Sequence, residues 1–263
     1  MNISDYRKQL EPNRKYYKGS ELKAYIPKKL YDKNDEIALG IRFIINRPLF
    51  GGCYEQLFPK YFNSMPPNSG VLIGAFIDTD IILKGKTYPG DIDLLIIPYE
   101  GDELVLSKTM AVELKITRAS FKKQGKSPNQ YGFSQAEGLL KLGFPYVAVG
   151  HIIISDESPK THWRDMGLTT IINSDTGECS PLKNVKADFM PADLIRRSYG
   201  RLKANRKNRD IGFFSTYFSE EGIWFPSGKT VRRNKNTCKE TLDSVWDYYC
   251  KNTDLFLDTR RYE

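Results

Sequence analysis

The stretch GDIDLLIIPYEGDELVLSKTMAVELKIT, residues 90–117, decides how the chain is expected to fold. Residues 91–99 and 106–117 are rich in Leu, Ile and Val, and the sequence EGDE between them is typical of a hairpin turn. The second segment is apolar around its centre, as expected for a strand that is covered on both faces. We therefore predict two neighbouring strands, with Pro98 ending the regular pairing of the first.

Three acids and one lysine interrupt these apolar strands. Side chains two residues apart project from the same face of a strand. Glu113 and Lys115 therefore project together, and so do Asp91 and Asp93. If the two strands form a hairpin around residues 100–104, Asp93 can lie at a height close to that of residues 113–115.

Charged groups on an otherwise apolar sheet need partners or a metal ion. Carboxylate oxygens suit Mg²⁺ or Mn²⁺, and a metal ion held by Asp93, Glu113 and the carbonyl of Leu114 would leave room for water and a phosphate oxygen. Lys115 would then orient the attacking water or stabilise developing charge. The structural alternative is a salt bridge at a strand end, formed by Lys115 with Asp93 or Asp91.

The flanking sequence predicts the elements that surround this strand pair. We expect another strand at 71–81, a helix at 129–144 and a fourth strand at 146–155. Helical spacing also follows Asp35, and Pro59 is expected to start or kink a short helix. A helix between two strands suggests a right-handed crossover. The expected fold class is therefore α/β, with a central mixed β-sheet flanked by helices.

In this setting, PGDIDLLII and AVELKIT resemble the signature of the PD-(D/E)xK nuclease superfamily, with Asp93, Glu113 and Lys115 at its three positions. The resemblance covers about residues 50–155, and Ile92 stands where the motif usually has proline. It implies a restriction-endonuclease-like core and a Mg²⁺- or Mn²⁺-dependent endonuclease that hydrolyses DNA phosphodiester bonds. Restriction or phage defence is the setting in which similar domains occur.

The resemblance also implies roles for residues outside the two strands. Gln135 resembles a glutamine that several branches carry on the helix after the ExK strand. The family often places an acid on its first helix, for which Glu55 is the first candidate and Glu36 the second. Asp91 is an alternative to Asp93 as the first carboxylate.

The net charge of +8, from 40 Lys and Arg against 32 Asp and Glu, suits a polyanionic partner. Basic residues after the ExK strand and in two later basic stretches are expected to contact nucleic acid: Arg118, Lys122, Lys123, Lys126, Arg206, Lys207, Arg232 and Arg233. DNA is expected rather than RNA, and double-strand cutters of this kind are often homodimers. The alternative is a non-catalytic nucleic-acid-binding protein on the same fold.

Composition divides the chain into a basic N-terminal segment (1–34), a nuclease-like core (35–175) and a basic, aromatic C-terminal extension (176–263). No apolar run approaches the ~20 residues that span a bilayer, and the N-terminus lacks the apolar region of a secretory signal. The four cysteines form no CxxC pair. We therefore expect a cytoplasmic protein with no membrane partner, no zinc site and no disulfide framework.

Overall fold

A computed structural model describes residues 3–12, 16, 25–83, 85, 90–219 and 224–262. Its helices are α1 (Lys28–Asp32), α2 (Glu36–Ile45), α3 (Arg47–Leu57), α4 (Pro59–Ser64), α5 (Thr79–Ile82), α6 (Phe133–Lys141), α7 (Met190–Asn205) and α8 (Lys239–Lys251). Its strands are β1 (Lys8–Gln9), β2 (Ser69–Asp78), β3 (Asp91–Glu100), β4 (Glu103–Leu104), β5 (Met110–Arg118), β6 (Tyr146–Ile154), β7 (Arg164–Leu168), β8 (Ile171–Asn173), β9 (Glu178–Cys179), β10 (Lys183–Ala187), β11 (Gly212–Tyr217), β12 (Ser227–Lys229) and β13 (Phe256–Arg260). In this described part of the chain, no helix is both long and apolar enough to cross a lipid bilayer.

Among the described residues, the central sheet has nine strands and is mixed. One path runs β1-β4-β3-β5-β6-β11-β12, and β2 lies between β3 and β13. Strand β3 pairs antiparallel with both β2 and β5, whereas β5, β6 and β11 are parallel. Helix α6 connects β5 to β6, which confirms the predicted crossover. The predicted α/β class, a mixed central sheet flanked by helices, is also confirmed.

The sheet is buried on both faces. Val112 and Leu114 of β5 pack into the core that contains Phe43 of α2 and Phe50 of α3. Ala111, on the opposite face of the same strand, packs into the core formed with α6 and α8. Two buried faces explain why the strands read as nearly continuous apolar runs.

The helical spacing after Asp35 resolves into two helices. The Asp35 side chain accepts a hydrogen bond from the Ile37 N–H at 3.0 Å and caps α2. Asn46 ends α2 and caps α3 by accepting from the Leu49 N–H at 3.2 Å, and Pro48 fits the first turn of α3, where its missing N–H costs nothing. Pro59 starts α4, as predicted.

The expectation that Pro98 ends the pairing of its strand is wrong. Strand β3 continues to Glu100, and Pro98 lies opposite Val71 in the ladder with β2. The Pro98 carbonyl accepts a hydrogen bond from the Val105 N–H at 2.8 Å. The nitrogen and carbonyl of one strand residue point to the same side, so the missing N–H of Pro98 faces away from β2 and leaves that ladder intact.

The outer segments of the chain contribute strands to the central sheet. Strand β11 pairs with β6, and β13 pairs with β2 from Phe256↔Gly74 to Arg260↔Gly70. The short β1 pairs with β4. The segment 176–263, predicted as a C-terminal extension, supplies β11, β12 and β13 to this sheet.

Candidate active site

The candidate site lies where β3 and β5 separate. The ladder between these strands runs only from Ile96↔Met110 to Leu94↔Val112. Beyond the ladder, a side chain replaces the backbone of β3 as the acceptor: Asp93 Oδ2 accepts a hydrogen bond from the Leu114 N–H at 2.7 Å. The N–H and C=O of a strand residue point to the same side, so the Leu114 carbonyl is also directed toward this gap.

Glu113 and Lys115 project from the face of β5 that Asp93 occupies on β3. Glu113 Oε1 lies 2.7 Å from Lys115 Nζ, and the Glu113 side chain is only 1% exposed. Within the described residues, Glu113 Oε2 has no hydrogen-bond partner. Glu36, in the first turn of α2, brings Oε1 to 4.0 Å from Lys115 Nζ. One ammonium group therefore serves two acids, and one buried carboxylate oxygen stays open.

The electrostatics of the site disfavour two negative carboxylates. Burial raises the pKa of Asp93 to about 7, and the charge of Glu113 adds to this rise, while the Leu114 N–H and Lys115 oppose it. Burial also raises the pKa of Glu113, against the effect of Lys115. Burial acts to lower the pKa of Lys115, but the hydrogen bond and charge of Glu113 raise it overall. A further cation between the carboxylates is therefore electrostatically favourable.

Helix α6 begins directly over the acids. Its N-cap, Gly132, has a φ of 85°, and a Cβ built there would lie 3.0 Å from Cγ of Glu113. Glycine is required here both by the backbone conformation and by the close approach. Sequence analysis missed Gly132 because the helix was predicted to start at residue 129, which placed this glycine inside it.

The structure brings Glu36, not Glu55, to the lysine. Glu55 lies well along α3 and lines a cavity with Arg260, on the face of the sheet opposite to Glu113. The cap at Asp35 fixes the start of α2 beside the end of β5, where Glu36 reaches Lys115. The break between α2 and α3 then directs Glu55 elsewhere.

Two further predicted residues belong to the elements that border the site. Asp91 is exposed at the start of β3, opposite Asp78 of β2. Gln135 is half-buried in the first turn of α6, the helix that Gly132 caps. Asp93 is therefore the carboxylate of this strand that faces β5.

A cavity of about 620 Å³ gives access to Lys115. Arg118 and Lys126 line it together with Glu36, so two of the predicted nucleic-acid contacts share a cavity with Lys115. The Arg118 guanidinium also donates to the Asn34 carbonyl at 2.6 Å, which links the end of β5 to the start of α2.

The loop that carries Lys126 is held in place by α7. Arg201 Nη1 donates to the Lys126 carbonyl at 2.7 Å, and Arg197 Nη1 donates to Gln124 Oε1 at 2.8 Å. Lys122 and Lys123 are exposed in a short 3₁₀ turn of the same loop. Two residues of the basic stretch 196–209 thus hydrogen-bond to this loop at the surface of the protein.

The other predicted basic contacts are dispersed. Lys207 lines a smaller cavity beside the start of α6. The Arg206 guanidinium lies 5.7 Å from the Phe213 ring centroid and donates to the Asn208 carbonyl at 3.3 Å. The Arg232 N–H donates to the Asp210 carbonyl. Arg233 acts electrostatically on Tyr146, the first residue of β6, so it belongs to the end of the sheet away from Lys115.

His151 supports the site from the neighbouring strand. It lies opposite Lys115 in the β5–β6 ladder and is 1% exposed. Its Nε2 is 3.2 Å from the Tyr131 carbonyl, and its Nδ1 is 3.3 Å from Ser198 Oγ. Burial lowers the pKa of His151 to about 4. A neutral imidazole therefore links α7 to the residue that precedes Gly132.

The donor set available for a metal ion is small. Across the residues that the structure describes, no group of three or more His, Cys, Asp or Glu side chains is arranged to hold a metal ion. Asp93, Glu113 and the Leu114 carbonyl offer oxygen atoms, the ligand type that Mg²⁺ and Mn²⁺ prefer. Glu113 Oε2 has no hydrogen-bond partner among the described residues, and the pKa of Asp93 is raised. Both observations indicate that a cation bound between these carboxylates would be stabilised.

Comparison of the chain with protein-family models, curated proteins and solved structures gives no match. The chemistry of the site therefore rests on its own residues.

Proposed function

We propose that this chain is a divalent-metal-dependent nuclease that hydrolyses DNA phosphodiester bonds, as its resemblance to PD-(D/E)xK nucleases implies. The observation that carries the proposal is the convergence of Asp93, Glu113 and Lys115 where β3 and β5 separate. Burying these charges costs free energy that apolar side chains would not. Their presence inside an otherwise apolar sheet supports a chemical rather than a structural role.

Asp93, Glu113 and the Leu114 carbonyl would hold Mg²⁺ or Mn²⁺. Bound there, the ion supplies Lewis acidity toward a phosphate oxygen and lowers the pKa of a bound water. The protein contributes a site in which Gly132 packs against Glu113, while Lys115, the ion-pair partner of Glu113, lines the neighbouring cavity.

Lys115 would donate hydrogen bonds to the attacking water or to a phosphate oxygen and stabilise negative charge as the bond breaks. Glu113 and Glu36 keep its ammonium protonated and fix its position. Arg118 and Lys126 would hold phosphates next to the one that is cut, which positions the strand without reading its sequence.

The decisive experiment measures plasmid cleavage with Mg²⁺ or Mn²⁺, and with EDTA in place of metal. We expect cleavage only with metal. Glu113→Gln should lower the rate more than ~100-fold, beyond the ~10–100-fold cost of losing a residue that only supports a metal ligand. Glu178→Gln, a change of the same chemistry at an exposed site in β9, serves as the control and should cleave normally.

Thermal unfolding must show that each variant is folded. Relieving carboxylate crowding should leave Glu113→Gln at least as stable as the parent chain. Normal cleavage by both Glu113→Gln and Lys115→Met would contradict the proposed function.

The Lys115–Glu113 ion pair also favours a second candidate, a non-catalytic nucleic-acid-binding protein. At 2.7 Å this pair neutralises the more buried of the two carboxylates without a metal ion. This alternative predicts DNA binding that weakens with salt, no turnover with either metal, and the same affinity in Glu113→Gln.

A further inference from the structure

His151 lies at the centre of a polar row that crosses the sheet next to α7. Lys115 of β5 and Ser215 of β11 lie opposite His151 of β6 in the two parallel ladders. Paired residues of parallel strands share a face, so all three side chains project from the face that carries Glu113. His151 is 1% exposed. A side chain enclosed in this way can act on the site only through the groups that it contacts.

Both ring nitrogens of His151 are engaged. Nε2 lies 3.2 Å from the Tyr131 carbonyl oxygen, and Nδ1 lies 3.3 Å from Ser198 Oγ. Because a carbonyl oxygen only accepts, Nε2 carries the single proton of a neutral imidazole, and Nδ1 is left as an acceptor for the Ser198 hydroxyl. The serine therefore selects the tautomer in which Nε2–H reaches the Tyr131 carbonyl.

This hydrogen bond fixes a backbone group that touches the acids. The Tyr131 carbonyl and the Gly132 N–H belong to one planar peptide group, so holding the carbonyl also orients the start of Gly132. A Cβ built on Gly132 would lie 3.0 Å from Cγ of Glu113 and 3.5 Å from Cγ of Lys115. The backbone at Gly132 therefore packs against both members of the ion pair and limits the space in which they can move.

Helix α7 holds the segment between β5 and α6 at three points. Arg197 and Arg201 donate hydrogen bonds to the loop that carries Lys126, and Ser198 acts through His151. The two arginine contacts are exposed, whereas the contact between Ser198 and His151 is buried. The buried contact is the one that leads to the peptide group next to Glu113.

We propose that His151 is a positioning residue of the proposed nuclease centre, which donates Nε2–H to the Tyr131 carbonyl and so keeps Gly132 packed against Glu113. This inference rests on the proposed function. Ser198 acts one step earlier, by selecting the tautomer of the imidazole. A misplacement of about 1 Å in an active site can cost roughly 10²-fold in rate, so the loss of this hydrogen bond should weaken both metal binding and cleavage.

The test compares substitutions that keep one hydrogen bond, the other or neither. The amide nitrogen of glutamine can take the place of Nε2, and the amide oxygen of asparagine can take the place of Nδ1. His151→Gln therefore keeps the bond to the Tyr131 carbonyl, His151→Asn keeps the bond to Ser198, and His151→Leu fills the space with neither. All three variants lose the imidazole, whose ring centroid lies 5.9 Å from that of Tyr131, so the loss of ring packing is common to them.

Two quantities are measured for each variant: the Mg²⁺ affinity by isothermal titration calorimetry without DNA, and the initial rate of plasmid cleavage. Loss of a residue that supports a metal ligand costs ~10–100-fold, so His151→Asn and His151→Leu should each lose about tenfold or more in both quantities. His151→Gln should stay within about threefold of the parent chain, because it keeps the bond to the Tyr131 carbonyl. Ser198→Ala should lose less than His151→Asn, because the imidazole can still donate from Nε2. Ser244→Ala, the same change at a half-buried position of α8, serves as the control and should match the parent chain.

Thermal unfolding must show that each variant is folded, and His151→Leu replaces His151→Asn in the comparison if the latter is not. Equal Mg²⁺ affinities and equal cleavage rates in His151→Gln and His151→Asn would overturn this inference and leave the proposed function standing. Mg²⁺ binding without cleavage by the parent chain would contradict the proposed function, and the affinities of the variants would still decide this inference. A parent chain that neither binds Mg²⁺ nor cleaves DNA would overturn both.

Discussion

The two halves of the β3–β5 pair differ in how the strands are joined. Between Leu94 and Ile96 the strands are joined by a backbone ladder and carry buried apolar side chains. One residue further on, the ladder stops, and Asp93 and Glu113 appear. Buried charge is thus confined to the place where the strands part and backbone groups become available. If the ladder continued, the Leu114 N–H would bond to the backbone of β3 and would not be available to Asp93.

The largest effect is expected in the pH dependence of the free energy of unfolding, measured without a metal ion. Because the folded-state pKa of Asp93 is about 7 against an ordinary 3.8, the folded state binds the proton more tightly. Its stabilising contribution is therefore complete below pH ~4 and is lost as the pH rises through 7. We expect a loss on the order of 3–4 kcal/mol in the free energy of unfolding, measured by urea denaturation between pH 4 and 8.

Asp93→Asn should remove most of this slope, whereas Asp91→Asn, at the exposed start of β3, should keep it. Mg²⁺ should restore stability at pH 8 in the parent chain. Equal slopes in the parent chain and in Asp93→Asn would show that the separated half of the strand pair carries no unfavourable charge.

The next test changes the residue that closes the gap. Gly132→Ala places a Cβ against Glu113 and forces a non-glycine residue into a positive φ. It should lower the free energy of unfolding by about 1–2 kcal/mol. Gly125→Ala, in the same loop with no atom within 4 Å of its Cβ, should change it by less than about 0.5 kcal/mol. If both variants unfold at the same temperature, the close approach of α6 to Glu113 does not constrain the site.

A smaller effect separates the two candidate acids on the helices. Glu36→Gln removes a negative charge 4.0 Å from Lys115 Nζ and should lower kcat/KM for DNA cleavage about threefold to tenfold, or roughly 1 kcal/mol. Glu55→Gln acts on the other face of the sheet and should have a smaller effect. Initial cleavage rates measure both, and a larger loss with Glu55→Gln would mean that the family pattern predicts this acid better than the observed distances do.

The smallest expected effect concerns DNA binding at the gap. Lys126→Ala should reduce the slope of log affinity against log salt by about 1, because one phosphate contact is lost. Arg232→Ala, remote from the cavity at Lys115, should leave the slope unchanged. Fluorescence anisotropy with a labelled duplex over a salt series measures both slopes. If Arg232→Ala lowers the slope and Lys126→Ala does not, the DNA-binding surface lies at the other end of the sheet.

The site was predictable where it depends on local alternation. The two-residue spacing of Glu113 and Lys115 is enough to place both side chains on one face of their strand, but their level relative to Asp93 depends on the segment Glu103–Lys108, which shifts the register between β3 and β5. The turn itself forms the β3–β4 hairpin at Glu100↔Glu103. The crossover through α6 likewise follows from helical spacing between two apolar segments.

The features that the sequence did not predict depend on how distant segments pack together, which no local pattern encodes. The choice of Glu36 over Glu55 follows from how α2 lies against the end of β5, which the periodicity of the helix does not reveal. Strand β13 joins β2 through long-range backbone pairing, and such pairing leaves no signature in the five residues Phe256–Arg260. The prediction that Pro98 ends the pairing of its strand was wrong because the effect of a proline on a strand depends on the side to which its nitrogen points.

The pairing of β13 with β2 has a consequence for the order of events during protein synthesis. Strand β2 leaves the ribosome long before Phe256–Arg260, so one edge of β2 stays open while β3, β5 and β6 are already available to it. An open, apolar strand edge is the kind of surface on which nascent chains aggregate. Strand β13 closes that edge when it pairs with β2. This edge of the sheet is therefore protected only after Phe256–Arg260 has left the ribosome.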